Sequence, residues 1–326
     1  MKTAICTLYE GDYHYGVAVL TNSLYRHGFR GEVWVGYRGS LPPWATLLLP
    51  VSSFQDRGSP DRVCPDQVFS LAIAPDCTLH FVPINPPIHL ANYKPDFMVD
   101  ILERYSPETE AICYFDPDIV NKCDWDFYDR WLHHGIALCG DSWYEVPAHH
   151  PRRLAWIEFA AAQGFPCKRS LDYHYNSGFV GVHRRYLPLL VYWQKLIYLA
   201  GCEGHANLKD IYCAKATRTY PYVTQDQVAL NIALMLTSFP LSTIGPEGMD
   251  FAPHGTTMSH ATAPQVKPWR KRLVKSAIAG VPPTPTDRLF WQHSQSPIPA
   301  YDTKITRQKE RGLAIASLIG RVIRRN

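Results

Sequence analysis

The chain has 326 residues, 46% of them hydrophobic and 19% charged, with a formal net charge of +4. This is an ordinary globular composition, long enough for one large α/β domain and an appendage. It contains no internal repeat, no low-complexity tract and no apolar run approaching a membrane span, which argues against solenoid, disordered and membrane-spanning classes.

The charge is uneven. Residues 264–326 hold 13 Lys/Arg against three Asp/Glu, a local +10, which leaves −6 for residues 1–263. A basic end on an acidic body points to an anionic surface or ligand near that end. The nine cysteines are odd in number, scattered and free of Cys-X-X-Cys pairs. They speak against zinc and for a reducing cytoplasm.

Thr3–Leu8 reads as a first strand and not as part of a cleavable leader. Tyr9-Glu10-Gly11-Asp12-Tyr13 is a polar, aromatic turn at its carboxyl end. Tyr15–His27 follows with Val17, Leu20 and Leu24 at helical spacing, stopped by Gly28 and Gly31. Glu32–Gly36 is a second strand. This βαβ opening puts the 9–13 loop where a nucleotide would sit, with Tyr9 and Tyr13 as candidates to stack on a base. Neither a dinucleotide fingerprint nor a P-loop is present. Leu41–Pro60 reads as irregular, and Thr78–Val82 as a short strand. A helix starts at Asn92-Tyr93-Lys94-Pro95, with Pro95 in its tolerated first-turn place, and runs to about Arg104.

The stretch Ala111–Val120 organises the rest. Ile112-Cys113-Tyr114-Phe115 reads as a buried strand ending on Asp116-Pro117-Asp118. Open α/β sheets bind ligands at strand carboxyl ends. Two hard carboxylates there suit Mg²⁺ or Mn²⁺ beside phosphates; a plain Asp-Pro-Asp turn is the competing reading. Asn121–Trp131 is aromatic and acidic, a strand follows near Gly135–Cys139, and Asp141–Glu145 reads as a loop. Pro151–Gln163 reads as an amphipathic helix.

In Tyr173–Val182, Asn176-Ser177-Gly178 reads as a polar turn opening an apolar strand. Gly178 permits close approach of a ligand, and the Asn176 amide both donates and accepts, as sugar hydroxyls require. Tyr186–Leu199 is a helix. Gln225–Asn231 opens another, where Asp226 suits either chemistry or the helix dipole. His260 is a candidate third metal ligand and Lys267 a candidate diphosphate partner; His254 competes with His260. Lys304–Asn326 resembles a basic amphipathic helix, with Ile315, Leu318, Ile319, Val322 and Ile323 sharing a face, suited to anionic lipid or to the protein's own core.

Taken in order, the aromatic loop, Lys94, Phe-Asp-Pro-Asp, Asn-Ser-Gly, Asp-Gln-Val-Ala-Leu-Asn and His followed by Lys-Pro-Trp resemble the GT-A glycosyltransferases. The likeness is greatest to family 8, which includes bacterial galactosyltransferases and glycogenins. The resemblance covers roughly residues 1–270. It implies an α/β, Rossmann-like GT-A catalytic domain over 1–270, with a mixed sheet flanked by helices. Residues 271–326 would then be a Pro-containing linker and a basic helical tail.

The implied activity is transfer of a hexose from a nucleotide-diphosphate sugar, UDP-linked by analogy, to a glycan or lipid-linked acceptor with retention of configuration. Asp116, Asp118 and His260 would hold Mn²⁺ or Mg²⁺. Thr7, Tyr9, Tyr13, Lys94, Asp116, Asn176, Ser177, Gly178 and Lys267 would bind the donor, and Glu10 or Asp12 would read the uracil. Asp226 and Gln227 would sit beside the reacting carbon. Gln227 is a poor nucleophile, which favours front-face attack over a covalent intermediate. The basic tail is similar to tails that attach some bacterial members to the inner face of the membrane; no nucleic-acid partner is implied. The spacing from His260 to Lys267 is one residue longer than the family's, and the usual Gly between them is missing. Two other readings compete: a sugar nucleotidyltransferase, which would call for a Gly-rich basic loop after the first strand, and a catalytically silent sugar-binding scaffold.

Overall fold

The structure is a computed structural model that describes residues 1–45, 49–50, 68–212, 221–253, 255–262 and 266–323. In chain order the first half runs β1 (Thr3–Glu10), α1 (His14–Arg26), β2 (Gly31–Arg38), β3 (Leu49–Pro50), β4 (Phe69–Ala74), β5 (Cys77–Pro83), α2 (Lys94–Asp100), β6 (Ala111–Phe115), β7 (Ile119–Asn121), α3 (Trp125–His134) and β8 (Ile136–Glu145). The second half runs α4 (Pro151–Ala162), β9 (Tyr173–His183), α5 (Leu187–Cys202), α6 (Gln225–Leu236), β10 (Leu241–Ile244), β11 (Met258–His260), α7 (Leu273–Ile278), α8 (Pro285–Gln292) and α9 (Thr303–Ile323).

Nine strands form one mixed sheet in the order β10-β8-β9-β6-β1-β2-β5-β4-β3. Its centre, β6-β1-β2-β5, is parallel, whereas β9 runs antiparallel to both β6 and β8. Helices cover both faces, so the central strands are apolar on both sides, as parallel sheets require. The alternation is plain in β1 and β6. Ala4, Cys6, Leu8, Ile112 and Tyr114 face one core, which also holds α2, α5 and α6. Ile5, Tyr9, Ala111, Cys113 and Phe115 face the other, under α1 and α3. Helix α6 is apolar nearly all round and buried along its whole length, as such a helix must be.

Several expectations need correction. Asp141–Glu145 is the end of β8 and not a loop, and Asn176-Ser177-Gly178 lies inside β9 and not in a turn. In both places a polar run resembles a loop or a turn, but neighbouring side chains satisfy it within the sheet. Among the described residues, 271–323 carry three helices. Trp269, Phe290 and Trp291 pack with Val19 of α1 and Val120 of β7 into a third cluster. Asn22 ties the same region down, its amide donating to the carbonyls of His293 and Ile298 at 2.7 and 2.8 Å. The tail helix α9 docks through Ala316 and Gly320, with Leu313 and Ile319 alongside. The apolar stripe of Ile315, Leu318, Val322 and Ile323 is exposed instead. His254, Arg324, Arg325 and most of the 46–60 stretch lie outside the described residues. Among the described residues, no helix is long and apolar enough to cross a membrane.

Candidate active site

Strands β1 and β6 are parallel neighbours, so their carboxyl ends open onto the same edge of the sheet. There, a cleft of about 700 Å³ runs from Tyr13 and Lys267, past Asp116 and Asp118, to Trp143 and Tyr212. That volume suits a small-molecule ligand.

The chain builds the carboxylate end as follows. The Asp116 backbone N–H donates to the Gly178 carbonyl at 2.7 Å, extending the β6–β9 ladder by one residue. The chain then turns through Pro117, and the Ile119 N–H closes on the Asp116 carbonyl at 3.0 Å. Strand β7 pairs antiparallel with β11, placing His260 opposite Ile119 and therefore beside Asp118. Gly16 of α1 lies so close to the turn that a Cβ there would sit 2.0 Å from the Pro117 carbonyl oxygen. Asp116, Asp118 and His260 offer ligand atoms within 4.8 Å of one another. The His260 Nε2 lies 3.2 Å from Asp118 Oδ1 and 3.6 Å from Asp116 Oδ2. Two carboxylates and an imidazole can hold a metal ion.

Two lysines flank this triad. Lys94, the first residue of α2, is 3% exposed. Its Nζ lies 3.1 Å from Asp116 Oδ1 and 3.0 Å from Asp226 Oδ2, and donates to the Ser177 carbonyl at 3.3 Å. Burial alone would depress its pKa, but Asp116 and Asp226 hold it above the usual lysine range. Lys267 donates to Asp118 and to the Ala261 carbonyl. Burial pushes Asp118 up, yet His260 and Lys267 together hold its carboxyl well below the ordinary range. Lys267 itself is raised, Asp118 and Tyr13 outweighing its burial.

Beyond Lys94 a polar network fixes the remaining candidates. The Ser177 hydroxyl donates to Asp226 Oδ2 at 2.6 Å. The Asn176 amide donates to Gln227 Oε1 and to Asp141 Oδ1, both at 3.0 Å, and Gln227 Nε2 donates to Asp141 Oδ2 at 3.0 Å. Asp141 is buried, which would raise its pKa, but His174 and the Asn176 amide bring it down to about 2. Asn231, one turn beyond Gln227, clamps α6 to β9. It accepts from the Tyr175 N–H at 3.0 Å and donates to the Tyr175 carbonyl at 2.8 Å. Helix α6 thus presents Asp226 and Gln227 at a fixed depth behind β9.

Of the candidates from sequence, Asp116, Asp118, His260, Lys94, Lys267, Asn176, Ser177, Asp226 and Gln227 converge on this cleft. Gly178 lies directly beneath the triad: a Cβ there would fall 2.4 Å from His260 Cε1 and 2.9 Å from Asp116 Oδ2. Tyr13 is half-buried in the cleft wall, with Trp269 edge-on at 5.2 Å and Lys267 over its ring at 5.8 Å. Tyr9 lines the cleft but is held largely inside the protein. It is 2% exposed, stacked on Tyr37, with its hydroxyl donating to the Ser40 carbonyl at 3.1 Å. Thr7 is fully buried inside β1, back from the cleft-lining residues Leu8, Tyr9 and Glu10. Its place so near the strand end does not expose it, because both sheet faces are covered. Asp12 is engaged by a bidentate Arg270 and Glu10 accepts from Arg38 at 3.3 Å; of the two acids, Glu10 lines the cleft.

Asp141, His174, Tyr114 and Arg152 were not singled out from sequence. Asp141 carried a readable signal, since it follows an apolar strand just as Asp116 does. Tyr114 donates to Asp116 Oδ1 at 2.9 Å, but within an apolar run it is indistinguishable from core.

No family model matches the chain, and no curated protein matches it.

Proposed function

We propose that the protein is a metal-dependent glycosyltransferase of GT-A type, moving a hexose from a nucleotide-diphosphate sugar to a saccharide-containing acceptor. The observation that carries this reading is the meeting, in one cleft, of the Asp116–Asp118–His260 triad, the buried Lys94, the half-buried Lys267 and the Asp226–Gln227 pair, drawn from five separate stretches of chain. A sugar-binding scaffold without chemistry has no use for a metal triad backed by two ammonium groups.

Asp116, Asp118 and His260 would hold Mn²⁺ or Mg²⁺, which when bound supplies Lewis-acid neutralisation of the departing diphosphate. Lys267 and Lys94 place fixed positive charge where the leaving group gains negative charge. Tyr13 offers an aromatic wall for the base and Glu10 an acceptor for its N–H. Asn176, Ser177, Asp226 and Gln227 provide paired donors and acceptors for the sugar hydroxyls and orient the anomeric carbon. The acceptor hydroxyl attacks from the face of the departing phosphate. The C1–O bond to phosphate breaks, the new C1–O bond forms, and the hydroxyl proton passes to the departing phosphate oxygen. This assigns Asp226 to electrostatic support of the sugar and leaves Gln227 as a positioning amide.

The exposed α9 stripe, with Arg311 and Arg321 on the same helix and Ile278 and Val281 exposed nearby, suits the surface of an anionic membrane where a lipid-linked acceptor would lie.

Calorimetric titration of UDP, GDP and dTDP with and without Mn²⁺, on wild type and Asp118→Ala, tests the reading. Manganese-dependent binding of one nucleotide, lost in the variant, is expected. Absence of metal-dependent binding of every nucleotide would refute it.

A further inference from the structure

The outer half of the cleft lies beyond the residues already assigned to donor and metal. Its walls carry Trp143 and Tyr212, 47% and 45% exposed, in a protein whose aromatic side chains are mostly buried. Trp143 lies two residues beyond Asp141 along β8, which places it about 7 Å further out on strand geometry. That is roughly the reach of one sugar ring from the point where Asp141 binds Gln227.

Arg152 is the second observation. Its guanidinium sits over the Trp143 ring at 4.7 Å and lines the same cleft. It has no carboxylate or other side-chain acceptor among the described residues. It also stands in the first turn of α4, where the helix dipole disfavours a cation. Partial burial disfavours its charge as well. Arg153, its neighbour, shows the contrast: it is fully buried and donates to the Val146 and Tyr173 carbonyls. Arg153 therefore braces the backbone on which Trp143 is carried, while Arg152 is held without an anion. Asp141, at the inner end of the same strand, accepts from Asn176 and Gln227 and makes no ion pair with Arg152.

We infer that this outer half is the acceptor subsite and that it selects an anionic saccharide: a sugar ring packs on Trp143 and Tyr212 while its carboxylate or phosphate substituent pairs with Arg152. A planar guanidinium already stacked on an indole is preorganised for bidentate recognition of such a group. The inference rests on the proposed transferase reading for the word acceptor, but the anionic subsite is separately measurable.

The test is saturation-transfer NMR on the full chain, with methyl glucoside, methyl glucuronoside and glucose 6-phosphate as probes, alone and with UDP and Mn²⁺ added. The wild type is expected to bind one or both anionic sugars about tenfold more tightly than the neutral one, the size of a charge-assisted hydrogen-bond pair. Which of the two binds tells carboxylate from phosphate. Arg152→Gln is expected to abolish the preference and Arg152→Lys to restore part of it, with melting temperature reporting that each variant is folded. Trp143→Ala is expected to weaken all three probes. Equal affinity for neutral and anionic sugars, a preference that survives in Arg152→Gln, or competition by UDP and Mn²⁺ would each overturn the inference. Failure of the donor reading shows separately, as an anionic preference that persists in a chain that binds no nucleotide.

Discussion

Gly178→Ala isolates the packing beneath the metal triad. The new Cβ would lie 2.4 Å from His260 Cε1, 2.8 Å from Asn176 Oδ1 and 2.9 Å from Asp116 Oδ2. Carbon atoms in contact prefer about 3.5 Å, so the imidazole must retreat by roughly 1 Å. His260 cannot do this by a free rotation: it is 6% exposed and its backbone is paired with Ile119. The triad must therefore open. An inserted methyl in a packed site costs about 1–3 kcal/mol, and disturbing the support of a metal ligand costs about 10–100-fold in affinity. Gly181→Ala, three residues along the same strand, is the control. Its Cβ would meet Leu132 at 2.9 Å and Ala137 at 3.0 Å, well inside the core. Mn²⁺ titration followed by electron paramagnetic resonance, with thermal melts, separates the two effects. Both variants are expected to melt earlier, and only Gly178→Ala to lose about tenfold or more in Mn²⁺ affinity. Manganese affinity within twofold of wild type in Gly178→Ala, or equal losses in the two variants, would refute the reasoning.

Three further outcomes follow from the same contacts. Asp141, held at about 2 when folded against an ordinary 3.8, contributes stability that is present above pH 4 and lost as pH falls toward 2; between pH 5 and 3 the wild type should lose about 1 kcal/mol more than Asp141→Asn in urea titrations, and equal acid slopes would count against the network. Lys94→Ala leaves Asp116 and Asp226 without their shared cation and is expected to destabilise the chain by about 3–5 kcal/mol, read by chemical denaturation, with a change below 1 kcal/mol contradicting the assignment. Full-length protein is expected to sediment with anionic but not with neutral vesicles, and Leu318→Glu with Val322→Glu to release it; unchanged sedimentation of the double variant would clear the exposed stripe of that role.

What could be read from the sequence follows the strength of local signals. Strand β1, helix α1 and strand β2 were read within a few residues of their places, because β-runs and a helical period alternate cleanly between glycine stops. Asp116 and Asp118 were found because an apolar strand points at them. Asn176, Ser177 and Gly178 were found but misplaced, since a polar triplet inside a buried strand looks like a turn unless its partners are known. Those partners, Gln227, Asp226 and Asp141, are 49 to 51 residues later or 35 earlier. Helix α8 is hidden by its proline, which here starts the helix: Pro285 follows a Thr284 that caps with Asp287 in a reciprocal pair. The direction of the tail stripe was illegible for a different reason. Two apolar faces were available on α9, and Gly320, whose Cβ would meet Pro282 at 2.6 Å, decides which one docks.

On the proposed reading, the charge balance of the inner cleft favours metal and diphosphate arriving as a pair. Asp116, Asp118 and Asp226, with Asp141 behind Gln227, carry four negative charges, and Lys94 and Lys267 return two positive ones. The lysines are therefore committed to carboxylates, and Lys267 spends its ammonium on Asp118, a metal ligand. A diphosphate alone would meet a surplus of negative charge and a lysine already engaged. On the proposed reading, a divalent ion taken up by Asp116, Asp118 and His260 would satisfy Asp118 in place of Lys267. Lys267 would then be free to turn to the phosphate oxygens, and the surplus would be cancelled. Nucleotide affinity should accordingly depend on metal much more steeply in the wild type than in Lys267→Ala, where the competition at Asp118 is gone. Equal metal dependence in the two would mean that the Lys267–Asp118 contact plays no part in ordering the ligands.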